Sequence, residues 1–200
     1  MFFLCRLWIW CKRFRHRCGY GVHSPSDFFL ITSIIYERSP YYAYRTLKKR
    51  GFSNYLPHYR RKVNRLLFRL VNYFRPKSLI EVGRPSSTTL YLQSAKPSAS
   101  YLFASDLSEL FLDADTSVDF LYLNDYRNPD LLEEVFRVCA HRTTPKSVFV
   151  VHGICYSKEM KALWKKLQAD ERVGITFDLY DVGLLFFDKT KIKQQYIVNF

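Results

Sequence analysis

Acidic residues are nearly missing from the first third of this 200-residue sequence. Residues 1–75 carry 16 Lys and Arg but only two acids, Asp27 and Glu37. Residues 76–200 balance 15 basic against 16 acidic side chains, so the net +13 resides wholly in the N-terminal part. A block of one sign binds polyanions or an anionic membrane surface, or else forms a solvated helical layer of a basic protein. Long apolar runs are also missing. None reaches the roughly 20 residues that a spanning helix needs, and Met1 to Trp10 is followed by no small-residue cleavage site of the secretory kind. Cysteines are few and unpaired in pattern: five, at 5, 11, 18, 139 and 155, with no CxxC. That usage predicts free thiols in a reducing, cytoplasmic setting, peripheral to a membrane at most. Cys18 with His16 and His23 matches no standard zinc spacing, and no metal is expected. Repeats and low-complexity tracts are absent.

What is present falls into two halves, 1–76 and 77–200. In the first, Phe3, Leu7, Trp10 and Phe14 recur at steps of three and four, an amphipathic helical pattern, with Arg6, Arg13 and Arg17 on another side. This segment docks on the protein's own core, on a partner or on a membrane interface. Gly19-Tyr20-Gly21 breaks it. Ser24-Pro25 predicts an N-cap and a helix over 26–37. Pro40, Gly51 and Pro57 make 38–57 a stretch of short irregular helices. His58 to Phe74 is amphipathic, with Val63, Leu66, Leu67, Leu70, Val71 and Phe74 as its apolar stripe and the arginines, Arg69 included, mainly elsewhere.

From Ser78 strands and helices alternate. Strands are expected at 79–82, 101–105, 118–123, 147–151, 174–180 and 184–188, and helices at 88–95, 129–139 and 157–169. The alternation predicts a mainly parallel sheet with helices on both faces. The last two strands are too close for a helical crossover, so Asp181-Val182-Gly183 turns an antiparallel hairpin, and residues 197–200 extend that edge. At the front of this half stands SLIEVGRPSSTTLYL, residues 78–92, a strand, a glycine and then a helix, the way a nucleotide-binding α/β domain begins.

An ordered series carries a resemblance: Gly-Tyr-Gly-Val-His-Ser-Pro (19–25), Pro-Tyr-Tyr-Ala-Tyr (40–44), Ile-Glu-Val-Gly (80–83), Val-Asp-Phe-Leu-Tyr-Leu (118–123), Ser-Val-Phe-Val-Val (147–151), Ser-Lys-Glu-Met (157–160) and Val-Gly-Leu-Leu-Phe-Phe (182–187). It resembles a bacterial family of class I S-adenosylmethionine-dependent methyltransferase-like proteins, O-methyltransferase-like and of a Bacteroidetes type, over nearly everything after residue 12. The resemblance implies a Rossmann-like sheet closed by a C-terminal antiparallel hairpin behind a basic helical N-terminal layer, and S-adenosylmethionine as cofactor. Glu81, Gly83, Ser86, Thr88 and Asp106 are then the cofactor-binding positions, Asp106 at the end of the second strand facing the ribose hydroxyls. The competing role for Asp106 is an N-cap. His152, as general base, and Asp125 would stand at the methyl acceptor.

Departures from the family pattern are as informative. The loop Arg84-Pro85-Ser86-Ser87 lacks the second glycine that lets backbone approach a cofactor, and is one residue shorter. Only Leu107 to Ser117 separate Asp106 from Val118, too few for a parallel crossover, so a helix–strand–helix unit is missing. Asn124 stands where an Asp is expected, and His152-Gly153 replace two acids. Three functions follow: a methyltransferase with a reduced pocket acting on an acceptor the sequence does not name; a binding or scaffolding protein that keeps the fold as a pseudoenzyme; and a nucleic-acid or membrane-surface binder working through residues 1–75. Self-association is compatible with each.

Overall fold

The computed structural model describes residues 2–49, 58–112 and 116–200. Of the irregular stretch expected over 38–57, residues 50–57 lie outside the described residues, as do the side chains of Phe3, Arg6 and Tyr59. Seven strands form one sheet: β1 (Ser78–Val82), β2 (Ser100–Ala104), β3 (Phe120–Leu123), β4 (Val148–His152), β5 (Ile175–Asp178), β6 (Val182–Phe186) and β7 (Gln194–Ile197). Their order is β2-β1-β3-β4-β6-β5-β7. β1, β2, β3 and β4 are mutually parallel, and β6 enters antiparallel between β4 and β5.

The hairpin is therefore present, but its turn is earlier than expected. Val182 and Gly183 already pair with His152 and Val151. The reversal is made at Leu179 to Asp181, with Tyr180 at φ +72°. The last strand also begins earlier, at Gln194, and runs parallel beside β5. Between β2 and β3 the described residues hold one short 3₁₀ turn, Leu107–Glu109, and β2 is the edge of the sheet.

Each face of the sheet carries its own core, because alternate strand residues point to opposite sides. Helices α6 (Pro129–Ala140) and α7 (Lys158–Ala169) cover one face, where Leu132, Val135, Leu163 and Trp164 meet Ile80, Leu121, Phe149 and Leu185. The N-terminal half covers the other. There α4 (His58–Phe74) lays Val63, Leu66, Leu67, Leu70 and Val71 on Leu79, Phe120, Tyr122 and Val150. Helix α2 (Pro25–Phe29) continues as a π-helical segment, Leu30–Ile35, whose Ile31 and Ile35 join the same core.

Arg69 departs from its expected place on the solvent side of α4. It is buried, and its Nε and Nη2 donate to the carbonyls of Ile34 and Ile35 at 2.7 and 2.8 Å. Those carbonyls end the π segment and have no helical partner of their own, which explains why the cation is drawn inside. Helix α1 (Phe2–Lys12) is tied to the core at its far end. Arg13 pairs with Asp178 at 2.9 Å, and Asn199 donates to the Trp10 carbonyl. Helix α3 (Tyr42–Lys49) and α5 (Thr88–Ala95) complete the layer. Among the described residues no helix is long and apolar enough to cross a membrane.

Candidate functional site

In an open α/β sheet, ligands bind outside the carboxyl ends of the strands where the connections part to opposite faces. Here that point lies between β1 and β3. β1 leads to α5 on the α4 side, whereas β3 leads to α6 on the other. The loops after them, 83–87 and 124–128, should flank a crevice.

They are instead joined across it. Gly83 adopts φ +126°, and a β-carbon there would lie 2.7 Å from the Asp125 nitrogen and 3.0 Å from the Asp125 β-carbon. Only glycine fits where the chain's own next loop presses on the end of β1. Asn124, the first residue beyond β3, then acts as a clamp. Its Nδ2 donates to the Arg84 carbonyl at 3.0 Å and to Ser86 Oγ at 3.1 Å, and stands 3.4 Å from Glu81 Oε1. Its Oδ1 accepts from the Tyr122 hydroxyl at 3.1 Å. Above it, Arg84 Nε and Asp125 Oδ1 form an ion pair at 3.3 Å.

The other candidates at the β1 end are similarly engaged. Glu81 is fully buried, and its Oε2 accepts from Thr89 Oγ1 at 2.8 Å and from Tyr101 at 2.6 Å. Burial holds its carboxyl above the ordinary range, against the hydrogen bonds of Tyr101, Thr89 and Asn124. The same burial, with the Glu81 charge, raises the Tyr101 phenol. Thr88 donates from Oγ1 to Asn64 Oδ1 at 3.0 Å, while Asn64 Nδ2 donates to Ser87, so α4 grips the first turn of α5. Ser86 Oγ accepts from the Thr88 backbone N–H as well.

Asp106 is exposed, two residues beyond the end of β2, which pairs with β1. Its Oδ1 accepts from the Ser108 N–H and hydroxyl at 2.8 and 2.6 Å and from the Glu109 N–H at 3.2 Å. These bonds, Ser108's first, hold its carboxyl below the usual range. It caps the 3₁₀ turn.

His152 closes β4, two strands from β1. It is 5% exposed and walled by the rings of Tyr122, Tyr126 and Tyr156, with centroids at 6.4, 5.7 and 5.6 Å. Tyr126 lies flush on Gly153, at φ +73°, where a β-carbon would come within 2.6 Å of it. Burial pushes the imidazole down to about 4, and Arg60 acts in the same direction while the Asp181 charge opposes both. His152 is thus neutral at neutral pH, and its buried Nδ1 has no hydrogen-bond partner among the described residues. Asp125 and His152 share Tyr126 as neighbour; Asp125 itself pairs with Arg84.

Sequence reasoning did not find Asn64, Tyr101 or Tyr156, and it met Thr89 and Tyr126 only as parts of the 78–92 and 124–127 stretches. Tyr101 was within reach of it: the register sets Glu81 against Phe103, which puts Tyr101 on the same face two residues away.

S-adenosylmethionine presents an amino-acid end and a ribose diol, which require free acceptors and donors at the β1 and β2 ends. As arranged, Glu81, Ser86, Thr88 and Asn124 bond to one another or to neighbours within the chain, and Asp106 bonds to its own turn.

No protein-family model matches the sequence, and no curated protein matches it significantly. Solved structures do match in fold. The O-methyltransferase TomG of Streptomyces achromogenes, in complex with S-adenosylmethionine, superposes with a TM-score of 0.52 at 12% identity, over 74% of this chain and 91% of that one. The Podospora anserina methyltransferase PaMTH1, bound to S-adenosylhomocysteine, gives 0.54 at 8% identity, over 82% and 96%. A methyltransferase from Geobacter sulfurreducens gives 0.50 at 12% identity, over 76% and 92%. The chain therefore has the Rossmann-like fold of class I methyltransferases.

Proposed function

We propose that this is a methyltransferase-like protein of the S-adenosylmethionine-dependent type whose turnover is reduced or lost, because its cofactor crevice is bridged by its own side chains. The Asn124 clamp carries this reading. To admit the cofactor, its amide must release Arg84, Ser86 and Glu81, and each bond broken without replacement costs about 1 kcal/mol. S-adenosylmethionine remains the ligand that the fold suggests for the crevice. Glu81, Gly83, Ser86 and Thr88 are the residues nearest to holding it, with Asp106 two residues beyond the end of the neighbouring β2.

The test is binding and turnover on the full chain. S-adenosylmethionine and S-adenosylhomocysteine should bind with dissociation constants on the order of 1 mM or weaker, with no methyl transfer above background to phenolic, carboxylate or amine acceptors. Micromolar binding that Glu81→Gln abolishes would overturn the proposal in favour of a working enzyme.

One observation favours that second reading. The Nδ1 of His152, buried beside the crevice, has no hydrogen-bond partner among the described residues. In a working enzyme it would take the acceptor's proton, with Asp125 at the same mouth. Its lowered basicity makes it a weak base for that task.

A further inference from the structure

A second concavity runs along α4, beside the carboxyl ends of β5 and β7. It encloses about 1040 Å³ between the end of α1, the segment 35–45, α4 and residues 199–200. Arg17, Arg38, Arg45, Arg61, Lys62 and Arg65 line it, while among the described lining residues the one acid is Glu37, which accepts from the Tyr41 hydroxyl at 2.8 Å. The ion pairs among the described residues involve Arg13, Arg84, Lys166 and Arg172, and none involves Arg38, Arg45, Arg61 or Arg65. Arg61 Nε is buried and has no hydrogen-bond partner there.

Aromatic rings alternate with these charges. Tyr42 is 83% exposed and Trp10 42%, both on the lining. Arg65 stands 5.0 Å over the Tyr44 ring, Arg17 stands 5.4 Å over Trp10, and Lys62 stands 4.2 Å over Phe200. Tyr44 is in turn fixed edge-on against Phe68, so this wall is braced by the α4 core.

We propose that this cleft binds a single-stranded nucleic acid. Arg38, Arg45, Arg61 and Arg65, without ion pairs among the described residues, follow a phosphate backbone, and exposed rings between them stack on bases without regard to sequence. The cleft is several times larger than one phosphate requires, and it is concave, so a flat bilayer surface does not reach its inner arginines. This inference is independent of whether the crevice at the strand ends binds a cofactor.

The test is fluorescence anisotropy of a labelled oligouridine of about a dozen nucleotides, within the site sizes of roughly 4–16 known for such grooves, titrated with the full chain at rising salt. With Arg38, Arg45, Arg61 and Arg65 each meeting a phosphate, log affinity should fall with log salt at a slope near −3, from about −0.7 per contact. The triple variant Arg38→Glu, Arg45→Glu, Arg65→Glu changes only exposed side chains. It should bind about tenfold more weakly or worse, with an unchanged circular dichroism spectrum. Reversing exposed Lys146, Lys161 and Lys165, on the α7 side, should leave binding within about twofold. Equal loss in that control would overturn the proposal. So would the absence of oligonucleotide binding, or binding to phosphatidylserine vesicles in its place.

Discussion

The backbone nitrogen of Asp125 lies 2.7 Å from where a β-carbon on Gly83 would stand. The glycine that ends β1 is thus required by the chain's own next loop. Gly83→Ala should therefore destabilise the fold irrespective of any ligand. Both the positive φ and the collision act, so a loss of about 2–3 kcal/mol is expected. In a chain of this size it would lower the melting temperature by roughly 5–10 °C. Thermal denaturation followed by circular dichroism measures it.

Arg69→Met should cost about 3 kcal/mol, because two buried carbonyls lose charged donors at once. Arg69→Lys should recover little of this, since an ammonium lacks the planar fork that reaches Ile34 and Ile35 together. Urea denaturation midpoints of the two variants decide it.

His152 and Glu81 should give opposite pH dependences. The His152 imidazole falls from 6.5 in the unfolded chain to about 4 in the fold. Between those values the unfolded state binds the extra proton, so stability is lost as pH falls, by up to about 3 kcal/mol. His152→Phe should flatten that slope. Burial raises the Glu81 carboxyl above the 4.5 of an ordinary glutamate, so the folded state holds the extra proton there. Its contribution is full below that value and declines as pH rises through the folded pKa. Glu81→Gln should remove this second slope, which urea midpoints at half-unit steps from pH 4 to 7 (about seven points) resolve.

Asp106→Ala should leave any binding of S-adenosylhomocysteine unchanged, while loosening the turn at Leu107–Glu109. The carboxylate is exposed and bonded to Ser108 and Glu109. Hydrogen exchange at the Ser108 and Glu109 amides should rise; a loss of ligand affinity would return Asp106 to the site.

Much of the fold was legible because its signals are local. The apolar stripe of α4 and the strand–glycine–helix start at Ser78 depend on neighbours three to ten residues away, and α4 and α5 begin and end where periodicity predicts. The link before Val118 was read as too short for a parallel crossover, yet β2 and β3 both run parallel to β1, with one short 3₁₀ turn between them among the described residues. Turn placement near Gly183 was misjudged because glycine is common in turns, whereas here it pairs within β6. Arg69 was misplaced because a charge on an amphipathic helix usually faces water, and its partners lie more than thirty residues away, at Ile34 and Ile35. The site was legible only as positions. That Asn124 replaces an acid is visible in the sequence; that its amide closes the loop over Glu81 depends on three segments meeting in space.

On the proposed reading, the Asn124 amide holds the crevice shut. Titration calorimetry of S-adenosylhomocysteine into wild type and Asn124→Ala, each shown to be folded, tests it directly. Removing the clamp should tighten binding by about tenfold or more, equivalent to about 1.4 kcal/mol. Micromolar binding to wild type that the substitution weakens would contradict it, and would make Asn124 a ligand-holding residue in an open site.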